Sequence, residues 1–271
     1  MKKQLLLVFT ILQVSLVSWG QNESPYKTSF KVDAPLTVGG VALSGLGVYF
    51  ISNKNSISDL EAAELARSKN EVNGFDRFTA GDYSKRAKEL SDIPFYGSFV
   101  TPLALLLDGK VFNKAPQVFL LYGETMAVTG TLYAMTAGLV DRKRPLTYGT
   151  EAPLDERTSK NARNSFFAGH TAATATATFF AAKVFNDFNP NSPLKPFVWG
   201  TAAAVPLATG YFRLKAGKHF LSDNIIGYTI GTTVGILVPH LHKKTNTSGF
   251  SLTPTYHQIQ GNGLALSYTL K

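Results

Sequence analysis

Phe212-Arg213-Leu214-Lys215-Ala216-Gly217-Lys218-His219-Phe220-Leu221-Ser222-Asp223 joins two apolar segments and concentrates reactive groups in twelve residues. His219 and Asp223 are four apart, the spacing that places two side chains on one face of a helix. A carboxylate in that register can hold one imidazole nitrogen as N–H and leave the other free to attack. Arg213 lies six residues before His219, across Gly217, where the chain can turn tightly. Its guanidinium fork suits a phosphate. The plainer reading of the stretch is a His and an Asp that only bond each other.

Two stretches upstream decide between these readings. Arg142-Lys143-Arg144-Pro145 follows a long apolar segment, and Asn164-Ser165-Phe166-Phe167-Ala168-Gly169-His170-Thr171 enters the next one. Six apolar segments are legible, at 36–52, 93–107, 116–140, 166–185, 197–212 and 225–237. In an up-and-down bundle the end of the third and the start of the fourth lie at the same end as the end of the fifth and the start of the sixth. Both histidines and both arginines therefore meet at one mouth. Arg144 and Arg213 would hold phosphate oxygens there. Backbone N–H groups at Gly169 and His170, at a helix N-terminus, add an anion site.

The three stretches together resemble the type 2 phosphatidic acid phosphatase (PAP2) family, which is similar in core to bacterial acid phosphatases and vanadium haloperoxidases. Its motifs read Lys-x6-Arg-Pro, Pro-Ser-Gly-His and Ser-Arg-x5-His-x3-Asp. The resemblance implies an all-α fold, a six-helix bundle of the PAP2 type. It implies catalytic His219, His170 and Asp223, with Arg144, Arg213 and Gly169 binding phosphate. It implies hydrolysis of phosphate monoesters or diphosphates, above all lipid phosphates, through a phosphohistidine. No metal or cofactor is implied, and vanadate or phosphate would occupy the site. Ala137 stands at the motif lysine and Ala168 at the motif serine, while Phe167 replaces the proline and Phe212 the serine of the third motif. Arg142, Lys143, Lys215 and Lys218 are the auxiliary cations that could make up the loss. The alternative is a non-catalytic relative that binds lipid or anion on the same fold.

The remaining features set the context. Lys2 and Lys3, an apolar run over residues 5–17 and small residues at Ser18 and Gly20 have the form of a signal peptide ending at residue 20. Residues 21–35 read as a linker, 36–242 as the helical domain, 53–92 as a charged insertion with one or two surface helices, and 243–271 as a tail. Phe250, Leu252, Pro254 and Tyr256, then Leu264, Leu266, Tyr268 and Leu270, alternate with polar residues about Gly261-Asn262-Gly263. That pattern expects a β-hairpin, with a disordered tail as the alternative. The absence of cysteine excludes thiolate metal sites, cysteine nucleophiles and disulfides. A net charge of +9 favours anionic partners, namely phosphorylated lipids, small phosphate esters and membrane lipids. Basic runs interleaved with aromatics are missing, so nucleic acid is not expected. The expected location is a bacterial envelope, multi-pass in the membrane, with a soluble periplasmic domain as the alternative. Glu124 reads as a helix–helix hydrogen-bonding group, and His240 with His242 as a polar helix end rather than a metal pair. Arg157, Lys160 and Arg163 read as a solvated basic face beside the mouth.

Overall fold

A computed structural model describes residues 23–244, together with the backbone of 250–257 and 261–268. The signal-peptide reading falls outside the described residues. Six long helices follow the six apolar segments: α1 (Phe30–Ser52), α2 (Lys85–Phe99), α3 (Ala115–Leu139), α4 (Gly169–Phe188), α5 (Lys195–Lys215) and α6 (Leu221–Leu241). The tail pairs as an antiparallel hairpin, β1 (Phe250–His257) with β2 (Gly261–Tyr268), in a register that sets Phe250 opposite Tyr268. Gly261, Asn262 and Gly263 belong to the second strand rather than to the turn, which lengthens the ladder to eight pairs.

α4 is the central helix and packs against α2, α3, α5 and α6. Its small side chains allow this. A Cβ added to Gly231 of α6 would sit 2.1 Å from the Ala172 carbonyl of α4, so the two helices touch backbone to backbone. Threonine hydroxyls bind across the same interfaces: Thr176 meets Thr129 of α3 at 2.8 Å, and Thr178 donates to the Ala202 carbonyl of α5 at 2.9 Å. Such hydroxyls satisfy themselves without burying bare polar atoms.

α1 is different. It packs along α3 and leaves Leu36, Val41, Leu43, Val48 and Tyr49 outside. By length and composition α1 and α6 can each cross a membrane, and α2 with residues 101–107 forms a third apolar stretch bent by 41°. The bend lies where Pro102 cannot continue the ladder of α2. The Thr101 hydroxyl donates to the freed Ser98 carbonyl at 2.7 Å.

α2 begins earlier than its apolar pattern suggests. Ser84 caps it, accepting from the Ala87 N–H at 3.1 Å, so residues 85–92 of the charged insertion are its first two turns. They are charged because they rim a polar cavity. The insertion otherwise forms the expected short helix Asp59–Leu65, capped by Ser58, and two 3-10 turns. Of the expected solvated face of Arg157, Lys160 and Arg163, only Lys160 is exposed, Arg157 being buried and Arg163 half-buried. They donate to the Ala62, Ser52 and Asn55 carbonyls, and Arg163 also pairs with Glu61 and Asp141, so the three brace the insertion against the bundle.

Gly217 fixes the turn between α5 and α6. Its φ is +65°, and an added Cβ would fall 1.8 Å from the Asp82 carbonyl oxygen. Gly200, within α5, faces open space. Gly217→Ala is therefore expected to destabilise the fold by more than the roughly 1–2 kcal/mol of the left-handed conformation alone. Gly200→Ala should stabilise it by about 0.5–1 kcal/mol. Thermal unfolding of the two variants checks both signs.

Candidate active site

The three motif segments are stitched together by backbone. Arg142 forms a parallel bridge with Asn164, its N–H donating to the Arg163 carbonyl and its carbonyl accepting from the Ser165 N–H, and the Arg144 N–H donates to the Ala162 carbonyl, all at 2.8–3.1 Å. Leu146 N–H donates to Gly217 at 3.1 Å, and Ala168 N–H donates to Asp223 at 3.1 Å. The ends of α3 and α5 and the starts of α4 and α6 are thereby joined at one end of the bundle.

A cavity of about 530 Å³ opens there, lined by Arg144, Arg213, His170 and Lys218 with Lys88, Asp92, Tyr96 and Glu156. Arg144 and Arg213 are 4% and 5% exposed. Arg144 donates through one Nη to Asn161 at 3.0 Å and to the Asn164 carbonyl at 3.3 Å. Its Nε, and that of Arg213, are buried without a partner. Burial, opposed by the weaker pull of Tyr133 and Asp223, lowers the pKa of Arg144. Two enclosed guanidiniums with unused donors beside one cavity leave positive charge that an anion would neutralise. α4 adds its N-terminus, for Gly169 is its first residue and the cap, Ala168, has no side-chain acceptor.

His219 is 1% exposed, and its Nδ1 lies 2.6 Å from the Ser165 carbonyl. The carbonyl only accepts, so Nδ1 carries the proton and Nε2 keeps the lone pair in the neutral ring. Burial, then the fields of Arg144 and Arg213, holds this imidazole well below its usual range. It is therefore neutral at pH 7. His219 is not among the residues that line the cavity, although it lies within the fields of Arg144, Arg213 and His170.

Asp223 does not bond His219. Its carboxylate accepts from the Ser165 hydroxyl at 2.6 Å, the Phe220 N–H at 2.9 Å and Arg142 at 2.5 Å. The expected direct contact is replaced by one relayed through Ser165, whose hydroxyl meets Asp223 while its carbonyl meets His219. Asp223 thus positions the loop that positions the imidazole.

The auxiliary cations separate cleanly. Lys218 lines the cavity and is paired with Glu156; burial would raise the pKa of Glu156, but Lys218, Lys88 and Tyr83 together lower it. Arg142 instead bridges Asp223 and the enclosed Asp76, 2.7 Å away, and stacks over Phe220 with its guanidinium 4.9 Å from the ring centre. Lys143 lies near Glu61 and Asp141 at the surface. Lys215 lines a separate cavity with Gly81, Asp82 and Tyr148. Ala137 is fully enclosed.

His170 faces Asp92 at 3.9 Å and lies against Phe95, ring centres 4.1 Å apart. Sequence reasoning missed Asp76, Lys88, Asp92 and Tyr96, all from the charged insertion or α2. One signal was available, since Lys88 and Asp92 stand four apart and so share a helix face.

Residues 118–247 match the sequence model of the PAP2 superfamily. Among solved structures the chain is similar to a transmembrane PAP2-type phosphatidylglycerolphosphate phosphatase from Bacillus subtilis. The identity is 18% and the TM-score 0.42, over 74% of this chain and 94% of that one. A comparison with curated proteins gives no match.

An unfolded histidine takes up a proton below about pH 6.5, whereas folded His219 does not. Proton binding then favours the unfolded chain, so stability is full above that pH and falls as pH drops below it. The thermal midpoint should decrease from about pH 7 to pH 5, and His219→Gln should flatten that decrease. Equal slopes would contradict the assignment of a neutral, enclosed imidazole.

Proposed function

We propose that the protein is a metal-independent phosphatase acting on lipid phosphates, either monoesters or diphosphates, through a phosphohistidine at His219. The observation that carries this reading is the pair of enclosed arginines whose N–H donors lack partners beside one cavity. A phosphate seated between them would be held by charge-assisted hydrogen bonds and by the first N–H groups of α4.

The chemistry then follows from the protonation states. The Nε2 lone pair of His219 forms a bond to phosphorus, and the ester P–O bond breaks with its electrons on the leaving oxygen. Burial and the fields of Arg213 and Arg144 lower the His170 pKa to about 3; the incoming dianion offsets those fields, so the ring takes up a proton as substrate binds and gives it to that oxygen. The same imidazole then takes a proton from water, which attacks phosphorus. The N–P bond breaks, its electrons return to His219, and inorganic phosphate leaves. Positive charge from Arg144, Arg213 and Lys218 supplies the electrostatic stabilisation that a metal ion would otherwise give. Lys218 takes the place of the lysine whose motif position is Ala137.

A lipid substrate is favoured by an apolar groove of about 310 Å³ between α5 and α6, lined by Leu207, Tyr211, Leu214, Leu221, Ile225 and Tyr228. It adjoins the site, because Thr171 and Leu214 on its wall follow His170 and Arg213 in sequence. An acyl or prenyl chain laid there would present its phosphate to the arginines. The exposed apolar face of α1 suits a bilayer around the bundle, in keeping with an exported envelope protein. A non-catalytic relative is the second reading, favoured by the enclosure of His219 and by alanine at both lost ligand positions.

Phosphate release from phosphatidic acid, polyprenyl diphosphate and a chromogenic ester separates the two. Turnover should persist in EDTA, stop with vanadate and vanish in His219→Ala. Lys218→Met should lower kcat/KM by roughly 10²-fold, the cost of about 2.7 kcal/mol for one lost anion donor. No release from any substrate would leave the binding-protein reading. The described N-terminus and the cavity also lie at opposite ends of α1 and α6. In an embedded chain, accessibility labels at residues 160 and 243 should therefore report opposite sides of the membrane, whereas a soluble chain would label equally at both.

A further inference from the structure

At the end of the bundle away from the cavity, three side chains from three helices converge. Asp33 comes from the first turn of α1, Glu124 from the third turn of α3, and His242 caps α6. His242 Nε2 lies 3.5 Å from Asp33 Oδ1 and 3.5 Å from Glu124 Oε2. One ligand atom from each residue lies within 4.8 Å of the other two. The helix–helix hydrogen bond expected of Glu124 does not form. Glu124 is 7% exposed, and its Oε2 has no hydrogen-bond partner. Asp33 is also buried, and its second oxygen is taken by the Ser29 N–H at 2.7 Å.

Three details point to a cation among these groups. His242 Nδ1 lies 2.9 Å from the Val238 carbonyl and must donate to it, which turns the lone pair of Nε2 toward both carboxylates. That carbonyl contact is the kind that orients metal-binding imidazoles. Charge is the second detail. Two buried carboxyl groups face one imidazole, and neither pairs with lysine or arginine among the described residues. Lys243 and Lys244, next along the chain, are occupied by Asp187 and Glu23. Spacing is the third. Bonds of about 2.0–2.1 Å to a tetrahedral zinc ion set its ligand atoms about 3.4 Å apart, close to both imidazole–carboxylate separations.

We propose that Asp33, Glu124 and His242 form a structural site for a divalent transition cation of the zinc class. Mixed imidazole and carboxylate donors suit zinc, whereas magnesium and calcium favour oxygen alone. The side chain of His242 is 16% exposed, so water can supply the fourth ligand. The ion would join the start of α1, the body of α3 and the end of α6. The chain already closes on itself there, with Tyr26 bridged to Lys243 and Lys27 N–H donating to the His242 carbonyl at 2.8 Å. The whole length of α6, about 31 Å at 1.5 Å per residue, separates this site from the phosphate cavity. The metal is therefore distinct from the hydrolytic chemistry, which should run in EDTA whether or not zinc binds here.

The test uses the full tag-free chain in detergent, stripped with EDTA and dialysed. Zinc chloride is added, with magnesium chloride in parallel, and bound metal is measured after gel filtration together with the thermal midpoint. One zinc per chain should be retained, with a rise of several degrees in the midpoint, and magnesium should do neither. Glu124→Gln and His242→Asn should each lose the bound zinc and the rise. Circular dichroism establishes that each variant is folded, and the cobalt(II) visible spectrum of the native chain, which should report tetrahedral coordination, does not depend on either variant. Failure of the native chain to retain zinc, or equal retention by folded variants, would overturn the proposal and leave an imidazolium paired with two carboxylates.

Discussion

Two guanidiniums of like sign share the wall of one cavity with their Nε donors unmet, and much of the polypeptide around them serves to keep them there. Buried like charges repel, and each unused N–H has given up water without a replacement. Such an arrangement persists only when the surrounding structure over-determines it. Here the bridge of Arg142 with Asn164 and the bond from the Arg144 N–H to the Ala162 carbonyl fix Arg144, and the tight end of α5 at Gly217 fixes Arg213. Binding of a phosphate between them would relieve both costs at once.

Behind the imidazole of His219 lies a carboxylate scaffold that does not touch it. Asp76 accepts from Arg142, from the Ser222 hydroxyl and from the Ser222 N–H, and so ties the insertion to the first turn of α6. Burial alone would raise its pKa, but bonds from Ser222, Asn73 and Arg142 outweigh it and keep the group ionised. Asp223 takes the other side of Arg142 and the hydroxyl of Ser165. The result is a chain from Asp76 through Arg142, Asp223 and Ser165 to His219. Ser165 is what converts a carboxylate into a carbonyl contact on the imidazole.

The helices were legible because each apolar segment is long and ends in a loop whose residues have chemical roles. The convergence of the segments at one end of the bundle was legible because 212–223 carries Arg213, His219 and Asp223 on adjacent turns. Partners drawn from unrelated segments were not. Asp76 and Asp92 come from a stretch without apolar periodicity, and nothing local marks Asp76 as enclosed or Asp92 as a partner of His170. The spacing of His219 and Asp223 suggested a direct bond, but Asp223 sits inside the first turn of α6 and turns back to the Phe220 N–H, as a helix-capping carboxylate does. Lys218 could not be chosen over Arg142, Lys143 and Lys215 until the turn at Gly217 showed which cation enters the cavity. His242 read as a helix end because its partners, Asp33 and Glu124, are distant in sequence.

The claim on which the rest depends is that the arginine pair binds an anion. Thermal unfolding with increasing orthovanadate, in the native chain and in Arg213→Met, tests it most directly. The midpoint should climb with vanadate in the native chain and stay fixed in the variant. A native chain indifferent to vanadate, or a variant that responds as strongly, would contradict the account.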